Sequence, residues 1–190
     1  MASTGSARGG SARLRAIRLF AGLALLACGC GATPAEHATR PSLSLTENPI
    51  ETTRKAIDAA EVSLRAVLYK FDEPSLLPAL MSAIERGVDV RLLVDSAQAG
   101  GFDEGEGSLV ESARAAGAAV RYWDSARGKL HAKFSVLDGR RALAGSYNWT
   151  RSARRSNVEL LLDIDDPETV SRLLELFEQL WDRAADATPE

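Results

Sequence analysis

The spacing of apolar and polar positions along this chain changes period several times, and each change marks a predicted element. Residues 43–46 fit a short strand. A helix is predicted over about 49–60, with Asn48 as its N-cap and Pro49 at the first helical position, where a missing N–H costs nothing. Residues 62–69 form a β-like run. Between 74 and 86, Leu76, Leu77, Leu80, Met81 and Ile84 recur at helical spacing until Gly87 stops them. A buried strand over 88–94 follows, then a surface loop rich in glycine and acid over 100–107. A small-residue helix over about 108–116 and a strand over 120–123 come next. Runs over 130–137, 142–144 and 158–164 fit strands, the first two joined at Asp138-Gly139, and an amphipathic helix capped by Asp166 extends from 167 to about 183. Strands interleaved with helices and then hairpin-like strands predict an α/β sandwich, a mixed β-sheet flanked by helices. The chain shows no internal repeat.

The first 42 residues do not share this pattern. Arg8, Arg13, Arg15 and Arg18 precede the apolar run 19–27 with no acid among them, the layout of a signal peptide over 1–27. That run is about half the ~20 residues a membrane-spanning helix needs. Its end, Leu25-Leu26-Ala27-Cys28, resembles the bacterial lipoprotein signal, which makes Cys28 the expected lipidated residue, with Cys30 second and an ordinary secretory signal as the alternative. Residues 28–42 read as a flexible spacer, and His37 within it as an inert exposed side chain. The catalytic domain is then expected over 43–186, held in the cell envelope on the periplasmic side, lipid-anchored or secreted. No cysteine follows Cys30, so this domain holds no disulfide.

Composition adds one constraint and charge another. With 190 residues, 45% of them hydrophobic, the chain suits one globular core and is too apolar for a disordered protein. Its net charge is −3, and loss of the leader leaves 19 basic and 26 acidic residues, a net of −7. The distribution is uneven: 29–120 carries −6, 121–155 carries +7 and 156–190 carries −8. The basic residues are Arg121, Arg127, Lys129, Lys133, Arg140, Arg141, Arg151, Arg154 and Arg155, a field suited to docking an anion. Arg140 and Arg141 equally suit a solvated turn.

The candidate chemistry lies in that basic stretch. His131, Lys133 and Ser135 are expected on one face of a strand, so a nucleophile or base sits beside a fixed cation. Further on come Asp138, then Gly145-Ser146-Tyr147-Asn148, then Asn157-Val158-Glu159. The string His131-x-Lys133, Asp138 after four residues, and Gly145-Ser146-x-Asn148 after six more resembles the phospholipase D superfamily. With Asn157-Val158-Glu159 and the order of elements, the single-motif, nuclease-like branch is the nearest pattern. The resemblance covers roughly 43–183 and implies a phospholipase D-like α/β sandwich.

The resemblance implies a phosphodiester hydrolase, of phospholipase D or endonuclease type, acting through a phosphohistidine on His131. Attack on a phosphodiester builds charge on the phosphoryl oxygens, and donors must wait there. Lys133 is the expected cation, with the Asn148 amide and Ser146 hydroxyl as neutral donors. Glu159 is implied as the carboxylate orienting the second ring nitrogen of His131. Asp138 belongs to the motif as a candidate catalytic residue, yet its place before Gly139 reads mainly as a hairpin turn. Lys129 and Arg151 join Lys133, Ser146 and Asn148 as candidate substrate-binding residues.

Two histidines are required by this mechanism, one attacking and one protonating the leaving oxygen. The chain has one usable histidine and no repeat, and the resemblance implies that two chains pair as a C2 homodimer sharing one site. No His, Cys or carboxylate cluster has metal-site spacing, so neither a metal nor another cofactor is expected. The substrate is expected to be a nucleic acid, as the basic segment suggests, or a phospholipid headgroup, as the lipid anchor at the membrane suggests. Tyr147 and Trp149 can stack bases or touch acyl chains, though one of them is expected in the core. The alternative from another class is a catalytically silent envelope lipoprotein that binds an anionic ligand or partner.

Overall fold

Seven strands form one mixed sheet in the computed structural model, which describes residues 42–44, 48–99 and 108–186. In chain order they are β1 (Ser42–Ser44), β2 (Ser63–Leu68), β3 (Asp89–Asp95), β4 (Ala119–Trp123), β5 (Phe134–Leu137), β6 (Arg141–Gly145) and β7 (Leu161–Ile164). Across the sheet the order is β1-β7-β6-β5-β2-β3-β4. The pairs β2–β3 and β3–β4 are parallel, while β2–β5, β5–β6, β6–β7 and β1–β7 are antiparallel. The leader with Cys28 and Cys30, His37 in the spacer, and the loop 100–107 lie outside the described residues. No helix among the described residues is long and apolar enough to cross a membrane.

Alternation along the strands sorts their side chains between two cores. Leu64, Ala66 and Leu68 of β2, with Val90, Leu92 and Val94 of β3, join the core that includes α1 (Pro49–Ala59), α2 (Leu77–Glu85) and α3 (Leu109–Ala115). Val67, Leu93 and Val136 point the other way, onto Val170, Phe177 and Trp181 of α5 (Pro167–Asp182). Arg65 and Arg91 share this second face and reach Glu178 of α5 at 3.6 and 3.9 Å. The predicted sandwich of a mixed sheet between helical layers is the observed architecture.

Several boundaries differ from the pattern-based ones, each for a visible reason. The helix expected over 74–86 divides into a 3₁₀ turn, Pro74–Leu76, and α2. Pro78 has no N–H to give to the Pro74 carbonyl, and Leu77 N–H takes that acceptor instead. Asn48 makes no side-chain cap; its carbonyl accepts from Glu51 N–H at 3.1 Å. Asp166 does cap α5, accepting from Thr169 N–H at 2.8 Å. The short helix α4 (Arg151–Arg155), closed by Thr150 over Ala153 N–H, was not expected from periodicity because one turn is too short to show it.

The two strand starts nearest the motif also move. His131 and Lys133 are not on a strand, since β5 begins at Phe134. Leu130 N–H is drawn to a carboxylate oxygen of Asp95 at 2.8 Å and His131 N–H to the Lys129 carbonyl at 3.0 Å, so neither joins the ladder. Likewise β7 begins at Leu161 rather than 158, because Leu160 N–H turns to Ser146 Oγ at 3.0 Å.

Candidate active site

Sheet topology gathers the motif at one edge. Val67 pairs with Phe134, Phe134 with Ala144, and Gly145 with Leu161. The chain just beyond each of these pairs therefore emerges at the same edge: Tyr69 after β2, His131 and Lys133 before β5, Ser146 and Asn148 after β6, and Glu159 before β7. The parallel strand β3 delivers Asp95 there by its carboxyl end, the customary place for sites in open α/β sheets.

Gly145 is required by close approach of backbone. A Cβ at this position would lie 2.0 Å from the Leu160 carbonyl oxygen, so only glycine admits the Ser146 N–H to that oxygen at 3.0 Å. Lys133, opposite, accepts from Gly145 N–H at 3.2 Å through its carbonyl. The lead-ins to β5 and β7 are thus tied to the end of β6 by backbone bonds.

Glu159 is buried, with 8% of its surface exposed. Oε2 accepts from the Ser146 hydroxyl at 2.5 Å and Oε1 from Asn157 Nδ2 at 2.9 Å. Among the described residues no hydrogen bond joins it to the His131 ring, the partner expected from sequence. Ser146 differs from expectation for the same reason. A hydroxyl has one proton to donate, and here it goes to Glu159 while the oxygen accepts from Leu160 N–H, so Ser146 has none left for a phosphoryl oxygen in this arrangement.

Lys133 points its ammonium at the His131 carbonyl, 2.7 Å away, and lies over the Tyr69 ring with Nζ 5.2 Å from the centroid. Burial lowers its pKa and the Glu159 charge opposes that change, with a net lowering. Two N–H donors remain after the bond to His131. His131 is exposed, its ring set edge-on to Tyr69 at 5.0 Å and 68°. Asn148 keeps Oδ1 buried without a hydrogen-bond partner, as does Tyr147 its hydroxyl, and burial pushes the Tyr147 pKa above its ordinary value.

Tyr147 and Trp149 are both buried, each with 3% of its surface exposed, and Trp149 packs edge-on against Phe71. Neither is placed to stack a base or touch an acyl chain, which corrects the expectation that one of them faces the substrate. Lys129 is exposed just before His131, and Arg151 opens α4 with its N–H on the Asp72 carboxylate at 2.9 Å. Arg121, Arg141 and Arg154 are paired with Asp186, Asp163 and Glu73, so acids outside the basic segment partly neutralise it, while Arg127 pairs within the segment with Asp124.

Asp138 is not in this cluster. Seven residues from His131, on the order of 20 Å along an extended chain, it occupies the opposite edge of the sheet. Its carboxylate accepts from the N–H groups of Glu61, Val62 and Ser63, the last two at 2.8 Å. Burial alone would raise its pKa, yet these bonds and Arg140 hold it below the usual carboxylate value. With φ of 54° at Asp138 and 62° at Gly139, the turn is the positive-φ form that Asp-Gly favours. Its placement is that of a hairpin anchor.

Two residues at the site were not singled out from sequence. In the residue pattern Tyr69 is only the last position of a β-like run. Asp95, which holds Leu130 N–H, follows the apolar run 88–94, and an acid closing a buried strand was the only signal it carried. It has 1% of its surface exposed and also accepts from Ser125 Oγ at 2.7 Å and Ala97 N–H at 3.1 Å. Among the described residues, no group of three or more His, Cys, Asp or Glu side chains could hold a metal ion.

Comparison with known proteins bears on this geometry. A family model described as cardiolipin synthase, PLD-like domain, matches residues 53–181. A mitochondrial cardiolipin hydrolase of Xenopus laevis is 39% identical over 129 residues, covering 68% of this chain and 59% of that protein. A phospholipase D of Rickettsia conorii is 30% identical over 125 residues, covering 66% of this chain and 58% of that protein. The chain thus spans less than two thirds of the length of these relatives. The crystal structure of Nuc, a phospholipase D family member from Salmonella typhimurium, superposes with a TM-score of 0.67 at 26% identity, covering 79% of this chain and all of that one.

Proposed function

The chain belongs to the phospholipase D superfamily, in the family described as cardiolipin synthase, PLD-like domain, and we propose that it is a phosphodiester hydrolase using His131 as nucleophile. The observation that carries this reading is that His131, Lys133, Asn148 and Glu159 all follow or precede strand ends at the same edge of the sheet, with His131 exposed. The names of similar proteins, a cardiolipin hydrolase and a phospholipase D, support phosphodiester chemistry.

In the proposed reaction a ring nitrogen of His131 attacks phosphorus, the P–N bond forms, and the bond from phosphorus to the leaving oxygen breaks. A second histidine gives that oxygen a proton, then removes one from the water that displaces His131 from phosphorus. His131 of a second copy is the available source, which makes a C2 homodimer the proposed active form. Lys133 and the Asn148 amide stabilise charge on the phosphoryl oxygens, which asks for no metal. Glu159 acts by fixing Ser146 and by favouring the charged form of Lys133. Lys129 and Arg151 draw the anionic substrate in, and lipidation at Cys28 would tether the domain to a membrane in the cell envelope. Nucleic acids and phospholipids both carry the required bond.

The test is a turnover panel on the purified chain with chelator present: an activated aryl phosphodiester, single- and double-stranded DNA, and vesicles of cardiolipin or phosphatidylcholine. Turnover should survive chelation and fall at least about a thousandfold in His131→Ala. Wild-type turnover in that variant, or activity abolished by chelation and restored by a divalent ion, overturns the reading. Rates on DNA against those on cardiolipin assign the substrate class, and sedimentation of the active species reads the dimer.

A further inference from the structure

Glu159 has both carboxylate oxygens on Ser146 and Asn157, which leaves open what orients the His131 ring. Among the described residues, the aromatic ring set against that imidazole is Tyr69. Its ring meets the imidazole edge-on at 5.0 Å and 68°, the arrangement in which the positive rim of one ring faces the negative face of another. The same ring lies 5.2 Å from Lys133 Nζ, within cation–π distance. One aromatic group therefore touches both the proposed nucleophile and the proposed cation.

We propose that Tyr69 is a positioning residue that sets the His131 imidazole and the Lys133 ammonium in register as one unit. The backbone favours this role. Tyr69 follows directly on β2, whose Val67 pairs with Phe134, so a paired strand holds it beside the chain that carries His131 and Lys133. That chain is the less constrained partner, because it has left the ladder and His131 is exposed. Lys133 closes the unit by donating to the His131 backbone carbonyl at 2.7 Å, which ties the ammonium to the main chain that carries the imidazole. The Tyr69 hydroxyl makes no hydrogen bond among the described residues. The role therefore belongs to the ring, and phenylalanine should fill it.

The proposal rests on the reading of His131 as nucleophile, and two readouts separate them. On an activated aryl phosphodiester, Tyr69→Phe should stay within about threefold of wild type. Tyr69→Leu should lose about 10- to 100-fold in kcat, with KM changed less than about threefold and the melting temperature nearly unchanged. Tyr69→Met is the second variant should leucine fail to fold. The His131 imidazole resonances, assigned with His131→Ala, should shift in the leucine or methionine variant and stay in place in the phenylalanine one. Wild-type kcat in Tyr69→Leu overturns the proposal, as does a rise in KM alone, which means substrate stacking, or a loss in Tyr69→Phe equal to that in Tyr69→Leu. If the wild-type chain turns over nothing, the hydrolase reading fails, while unmoved imidazole resonances in Tyr69→Leu still count against the positioning role.

Discussion

The two ends of β5 carry the first half of the same motif and are built in opposite ways. At the Asp138 end, three backbone N–H groups converge on one carboxylate, and the turn adopts the positive φ that Asp-Gly accommodates. At the His131 end the chain has left the ladder; Asp95 takes one N–H, and His131 is held by ring contact and stands in solvent. One end saturates its polar groups, which stabilises the fold. The other keeps donors unspent, two on the Lys133 ammonium, as the proposed reaction requires where charge develops. A motif that reads as one string thus combines architecture and chemistry about a strand's length apart.

Substitutions at the two ends should therefore fail differently. Lys133→Met removes the cation and should lower kcat on an aryl phosphodiester by about 10²- to 10³-fold while thermal unfolding is unchanged. Near wild-type turnover would place the stabilising charge elsewhere. Gly145→Ala should cost about 2–4 kcal/mol in chemical denaturation, because the Leu160 carbonyl must move away from the new methyl. A stability close to wild type would show that β6 and β7 separate easily at the site.

Asp138→Asn should cost about 2 kcal/mol of stability, through weakened bonds to Glu61, Val62 and Ser63, with the folded fraction turning over normally at neutral pH. Because folding lowers the Asp138 pKa, the unfolded chain binds the proton more readily in the acid range. The stability from this group is present above its unfolded value, near 4, and is lost as pH falls through the lower folded value. Unfolding followed from pH 6 to pH 2 should show that loss in wild type and less of it in the asparagine variant. A large fall in kcat for the folded variant would instead bring Asp138 into the chemistry.

The smallest expected effect comes from the exposed cations beyond each end of the strand. Lys129→Gln should raise KM for DNA or an anionic vesicle about threefold at low salt, an effect that fades as salt screens the charge. Arg140→Gln, beside the hairpin, should leave KM unchanged. Equal effects from both would mean that substrate spreads across the whole sheet end to end.

Much of this was legible in the residue order. Short β-like apolar runs identified β2, β3, β4 and β6, and a 3.6-residue period the face of α5, since such patterns are local properties of the chain. Asp138-Gly139 announced its turn, the motif spacing pointed to His131, Lys133 and Asn148 as candidates, and the family resemblance added Glu159. What was misread depended on partners distant in sequence. Whether 130–133 joins a ladder depends on Asp95, 35 residues away, taking the Leu130 N–H. Whether Ser146 has a proton to offer depends on Glu159. The basic segment looked like an open field because Glu73, Asp163 and Asp186, which pair with three of its arginines, lie outside it.

The sequence by itself determined the class of fold, the candidate residues of the motif and the single histidine among them, because period, residue order and spacing are properties of the chain alone. Tertiary structure decided which of those residues meet. It set Asp138 apart from the site, buried Tyr147 and Trp149, committed the Ser146 proton to Glu159 and brought Tyr69 against His131 and Lys133. The reason is that hydrogen bonds and ring contacts are satisfied by whichever groups the sheet order makes neighbours, and that order joins β2 to β5 across 65 intervening residues between Leu68 and Phe134.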